Sequence, residues 1–252
     1  TSVPWDGGYC IRICLFSITS GEKQTPETEK LYMQDFLPEE QSRQILSFCM
    51  DSFTKFEHIH TGRMKNSPSA PASRQCPKFF AADVDADGWH PQYNFADFGK
   101  VDYGLLMSGI AGTPLEPLQQ AIFKLSGFLM NSAIINGMKD ENDYTPSHKD
   151  QNGTQESSLA GCPYESHGAT FIYCVGADRS LVLMKDDGTK GSFGKYKRAD
   201  MQNIVKEIPL QHNSMFTFTG ALNKDFIHAV PVEDTARGFR FSVTFRRAEV
   251  FQ

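Results

Sequence analysis

The spacing of apolar positions changes once along this chain. Between residues 38 and 53, apolar side chains at 45, 46, 49, 50 and 53 recur at helical spacing behind Glu39 and Glu40, and acids in a first turn suit the helix dipole. An amphipathic helix is predicted there. Thr113, Pro114 and Glu116 combine a capping hydroxyl, a proline at the first helical position and a capping-box acid, so a second helix is predicted from this point to about Met130. From residue 133 onward the spacing becomes that of strands, with short apolar or alternating runs at 133–138, 169–175, 180–185, 203–208, 214–219, 226–232 and 239–247. A few helices followed by many short strands predict a mainly β, α+β fold, a sandwich or jelly roll with helices packed outside. Residues 1–28 read as an N-terminal extension with a short apolar run, 29–252 as one domain, and the Ser-, Pro- and base-rich residues 61–78 as an exposed loop.

Composition narrows the class. The 252 residues include 40% apolar types and twenty Phe, enough for a full core. No run approaches the roughly 20 apolar residues of a membrane span, and the N-terminus lacks the layout of a signal peptide. We therefore expect a soluble intracellular protein of the nucleus or cytoplasm, with no membrane association. The six cysteines (Cys10, Cys14, Cys49, Cys76, Cys162 and Cys174) form no CxxC pair, which suits free thiols in a reducing compartment and gives no motif for structural zinc. A formal charge of −5 argues against a broad, non-specific grip on duplex nucleic acid and leaves room for local basic patches.

Candidate chemistry starts at His148-Lys149-Asp150. Side chains two apart in an extended segment point to the same side, so His148 and Asp150 can serve one metal ion. His228, in the apolar run FIHAVP, is the candidate third ligand. Two His and one carboxylate form the facial triad of non-haem Fe(II) oxygenases, which leaves coordination positions open for cosubstrate and oxygen. A polar turn explains the HxD equally well, and a core histidine explains His228. The run RFSVTFR at 240–246 alternates Arg240, Ser242, Thr244 and Arg246 with Phe241, Val243 and Phe245. It fits a strand with a solvated outer face, or one whose polar face lines a barrel interior that receives an anion. Six residues of strand separate the two Arg Cα atoms by roughly 20 Å.

The order HxD, His, RxSxTFR resembles the AlkB-like family of Fe(II)/2-oxoglutarate-dependent dioxygenases, whose closing motif is RxNxTFR. The likeness extends through LYMQDFLPEEQSRQIL (31–46), MNSAIINGM (130–138), IYCVGADRSLVLMK (172–185) and EIPLQHNSMFTFTGALNKDFIHAVP (207–231). It implies a double-stranded β-helix (jelly roll) core with flanking N-terminal helices. It implies Fe(II) held by His148, Asp150 and His228, and 2-oxoglutarate held by Asn136, Arg240, Ser242 and Arg246. The family's chemistry turns 2-oxoglutarate and O2 into succinate, CO2 and an oxidant that hydroxylates the substrate. A hydroxylated N-methyl group then leaves as formaldehyde. A modified nucleobase in DNA or RNA is the implied substrate, with a protein side chain or metabolite, or a poorly active recognition module, as alternatives.

Three positions depart from the family pattern. Met138 stands where the family has a Tyr that hydrogen-bonds the cosubstrate, and a thioether donates no such bond. Ser242 replaces the Asn. Asn152 stands where many DNA-repair members place an acid beside a cationic base, so an amide points to a neutral base or another substrate. Trp89 and Tyr93 are candidates for a substrate lid. Residues 83–88 match the start of a calcium-binding loop, but its twelfth position is Asn94 rather than Glu. An acidic turn is the plainer reading. His58 and His60 read as part of a solvated loop. Lys185, Lys190, Lys195, Lys197 and Arg198, interleaved with Phe193 and Tyr196, fit a solvated hairpin or a strand-gripping loop.

Overall fold

The computed structural model describes residues 2–4, 10–16, 30–53, 78–83, 94–95, 99–100, 109–127, 129–148, 170–185, 204–218, 226–235 and 237–246. The elements are β1 (Ser2–Pro4), β2 (Cys10–Phe16), β3 (Lys30–Gln34), α1 (Glu39–Phe53), β4 (Lys78–Ala82), β5 (Asn94–Phe95), β6 (Gly99–Lys100), α2 (Leu115–Ser126), β7 (Ser132–Met138), β8 (Thr145–His148), β9 (Thr170–Gly176), β10 (Arg179–Lys185), β11 (Ile204–Leu210), β12 (Ser214–Phe218), β13 (Phe226–Val230) and β14 (Arg240–Arg246). All seven strand runs predicted after residue 133 are present. No helix among the described residues is long and apolar enough to cross a membrane.

Two sheets divide these strands. The larger has the order β1-β2-β3-β12-β9-β14-β7-β4 and the smaller β11-β10-β13-β8. Of the last eight strands, β7, β9, β12 and β14 lie in the first and β8, β10, β11 and β13 in the second. This crossing between two antiparallel sheets is the double-stranded β-helix. Strands β1 and β2, within the segment read as an extension, continue the larger sheet beyond β3.

The period of two decides what each face touches. On the outer face of the larger sheet, Ala133, Ile135, Phe171, Tyr173, Val175, Met215, Phe241, Val243 and Phe245 form one core with Ile45 and Cys49 of α1 and Leu115, Leu118 and Ile122 of α2. On the inner face, Met138, Cys174 and Phe216 meet Leu181, Leu183, Ile208, Leu210 and Val230 of the smaller sheet. The barrel interior is this second cluster. Within α1 the buried positions are Ser42, Ile45, Cys49 and Ser52, while Met50, counted in the predicted apolar stripe, is exposed.

Helix α2 stops at Ser126, four residues short of the predicted end. Gly127 takes φ 75° and its N–H caps Phe123 O, the left-handed ending that glycine permits. At its start, Thr113 Oγ1 accepts from Leu115 N and the Glu116 carboxylate accepts from Gly112 N, so both predicted capping groups are used, shifted by one residue. Asn213 fastens the start of α1 to the barrel. At φ 58° it accepts from Leu37 N and Tyr173 OH and donates to Leu37 O.

Candidate active site

Strands β8 and β13 bring the two histidines together. His228 and His148 are direct cross-strand partners, so both side chains leave the same face of the smaller sheet. Their ring centroids are 4.2 Å apart and tilted by 51°. His228 lies between Phe226 and Val230 along its strand and opposite Leu183 of β10, and all three belong to the interior cluster. The imidazoles therefore look into the barrel, and the bland reading of His148 as a polar turn gives way to a strand position. Imidazoles this close offer nitrogen ligands to a single ion. Asp150, the third candidate ligand, lies outside the described residues, as do Asn152, Trp89, Tyr93, the histidine pair at 58 and 60, and the basic cluster from 190 to 198.

Strand β14 lies between β7 and β9, with Arg240 opposite Met138 on one side and Gly176 on the other. Every residue of β14 is buried, which sets aside the solvated-face reading. Phe241, Val243 and Phe245 face the helices. Arg240 turns inward, with Nη1 directed at Met138 Sδ (3.8 Å) and Nη2 at Cys174 Sγ (3.3 Å). Its residue exposure is 1%. Among the described residues no carboxylate pairs with it, and its Nε has no hydrogen-bond partner. Among the described residues the buried guanidinium is held by sulfur alone, a weak acceptor.

The neighbouring positions form a polar rung across the larger sheet. Asn136 pairs with Ser242, Ser242 with Cys174, and Cys174 with Ser214. Asn136 Nδ2 donates to Ser242 Oγ at 3.5 Å. Arg246 lies at the far end of β14, opposite Ser132, whose hydroxyl donates to the Arg246 carbonyl. The candidates Asn136, Ser242 and Arg240 thus come together, while Arg246 is separated from Arg240 by the length of the strand. Burial pushes the Cys174 thiol up, opposed by the adjacent Arg240 and a Ser214 hydrogen bond, so the thiol stays neutral beside the cation. Cys174 and Ser214 escaped the sequence reading because IYCVG scans as an apolar strand. Only the register shows that Cys174 lies diagonally across from Arg240.

No family model matches the chain. DNA oxidative demethylase ALKBH2 of Arabidopsis thaliana is 30% identical over 144 residues, covering 53% of this chain and 43% of that protein. Alpha-ketoglutarate-dependent dioxygenase alkB homolog 3 of Rattus norvegicus is 30% identical over 132 residues, covering 52% of this chain and 40% of that one. The matches thus span less than half the length of either relative. A solved structure described as that of OsALKBH1 aligns over 86% of this chain and 96% of its own, with a TM-score of 0.46 and 12% identity. Over those spans this chain is similar to AlkB-like 2-oxoglutarate oxygenases, and the ordered segments from Asn136 to Arg246 and the alternation of β7 to β14 between two sheets agree with that likeness.

Proposed function

We propose that the chain is an Fe(II)- and 2-oxoglutarate-dependent dioxygenase that demethylates or hydroxylates a modified nucleobase in DNA or RNA. One observation carries this reading: His148 faces His228 across β8 and β13, above the same interior cluster that cradles the buried Arg240 guanidinium. In this reading His148, Asp150 and His228 hold the metal, and Arg240, Ser242, Asn136 and Arg246 receive 2-oxoglutarate. The two described imidazoles suit Fe(II), since nitrogen donors within one ion's reach are what such a site needs. Bound iron supplies the activation of O2 that is coupled to oxidative decarboxylation of 2-oxoglutarate.

The chain's own groups bind and orient. Arg240 meets a carboxylate with a planar fork of donors, and the apolar walls strengthen that attraction by keeping water out. Leu183, opposite His228 on β10, and Val230, two residues along β13, are buried apolar neighbours of His228. A nucleobase substrate is supported by the relative named as a DNA oxidative demethylase. An intracellular setting, nucleus or cytoplasm, goes with it.

The test is mass spectrometry of methylated oligonucleotides, nucleosides and peptides after incubation with Fe(II), 2-oxoglutarate and O2. Oxidised or demethylated base and matching succinate are expected from the wild type, and neither from His148→Ala, Asp150→Ala or His228→Ala. Undiminished succinate formation in those variants would sink the metal assignment. Product from peptides alone would move the substrate to a protein side chain.

A further inference from the structure

We propose that Cys174 is a positioning residue for Arg240, tethering the guanidinium through sulfur so that its charge and most of its donors stay available to a dicarboxylate cosubstrate. This rests on the dioxygenase reading above and deepens it.

Three observations carry it. First, the guanidinium's two described contacts are both to sulfur, Cys174 Sγ and Met138 Sδ, and its Nε is unpartnered in a site with 1% exposure. An unpaired buried cation is costly to keep, which argues for a ligand that completes it. Second, the tether is itself fixed. Cys174 is hydrogen-bonded by Ser214, its partner across β12 and β9. Ser214 is fully buried and anchored to Gln211 O at 2.7 Å. Third, Gly176, directly opposite Arg240 on β9, presents no side chain, so the fork leans diagonally onto Cys174. A neutral sulfur sets its direction without neutralising it, whereas an acid at 174 would take up the donors meant for the ligand.

Calorimetric titration of the Mn(II)-loaded full chain tests this with two probes. One is 2-oxoglutarate; the other is 2-oxovalerate, which keeps the oxo-acid end and lacks the distal carboxylate. Cys174→Ser, which retains a neutral acceptor, should bind both within about twofold of wild type. Cys174→Asp should weaken 2-oxoglutarate about a hundredfold, because its carboxylate competes for the fork, and leave 2-oxovalerate unchanged. Should Cys174→Asp not fold, Cys174→Val reads the same ratio, with an expected loss of about fivefold for the diacid alone. Equal weakening of both acids, or no change in either, overturns the role of Cys174. If wild type binds neither acid, or Arg240→Ala binds 2-oxoglutarate as tightly as wild type, the cosubstrate reading fails instead. Dependence on Arg240 without dependence on Cys174 removes only the present inference.

Discussion

Replacing Arg240 by methionine should stabilise the fold and abolish its response to 2-oxoglutarate. The guanidinium is buried to 1% exposure, its Nε is unpartnered and its described contacts are two sulfurs at 3.3 and 3.8 Å. One orphaned donor costs about 1–3 kcal/mol, and replacing buried charge with a well-packed apolar side chain of similar length gains about 1–4 kcal/mol. Methionine enters a site walled by Met138 and Cys174 and continuous with the apolar interior, so we expect a gain of about 1–2 kcal/mol. In a chain of 252 residues each kcal/mol moves Tm by about 2–4 °C, giving a rise of about 2–8 °C. The wild type responds to ligand in the opposite sense. At a hundredfold excess over Kd, 2-oxoglutarate adds about 2.7 kcal/mol to the native state, whereas Arg240→Met gains nothing. Thermal unfolding followed by circular dichroism should therefore show the variant above wild type without ligand and the order reversed with it. A variant that melts lower without ligand would mean that Arg240 supports the fold. A variant that still shifts with 2-oxoglutarate would mean that the diacid binds elsewhere.

Three further outcomes follow from the geometry. Gly176→Ala should cost about 2–4 kcal/mol in urea unfolding, because at φ 95° its Cβ would lie 2.2 Å from Phe239 O and 3.1 Å from Arg240 Cα; a loss below 1 kcal/mol would show a backbone that yields freely. Asn213→Ala removes three buried hydrogen bonds from a residue at φ 58° and should cost about 3 kcal/mol, against about 1 kcal/mol for Tyr173→Phe; equal losses would contradict the clamp. Asp83 has its carboxyl pKa raised by burial, partly offset by the Gln119 hydrogen bond. Its folded state holds the proton more tightly, so stability from this group is present below the unfolded carboxyl range and lost as pH rises through the raised value. Asp83→Asn should therefore flatten that fall as pH rises above the ordinary carboxyl range of about 4, and an unchanged pH profile would exclude Asp83 as its source.

The strands were legible because a period of two survives in short runs such as 239–247, and α1 because its apolar residues hold helical spacing. Strand β8, with sequence TPSH, was not among the strand runs, since a proline and three polar residues carry no alternation. What makes it a strand is pairing with β13, a tertiary fact. The end of α2 was misplaced because apolar Phe128, Leu129 and Met130 continue the helical spacing past Gly127, whose left-handed φ ends the helix all the same. For β14 the alternation was plain and its meaning was not. Periodicity separates two faces without saying which one meets water, and only the covering of Phe241, Val243 and Phe245 by helices turned Arg240 inward.

That inward turn also gathers two of the three departures from the family pattern, Met138 and Ser242, around Cys174. Met138 is the β7 partner of Arg240, Ser242 follows two residues along β14, and Cys174 pairs with Ser242 while touching Arg240. Positions scattered over more than 100 residues of sequence thus share one patch of the barrel wall. Side chains in direct contact do not contribute additively, so the lost phenol at 138 cannot be weighed as a single missing hydrogen bond. The sulfur at 138 contacts the same guanidinium as Cys174, so the two sulfurs act on one fork. In the proposed reading, cosubstrate affinity is a property of the Arg240–Met138–Cys174 group, and the barrel register, rather than any one motif, is what creates it.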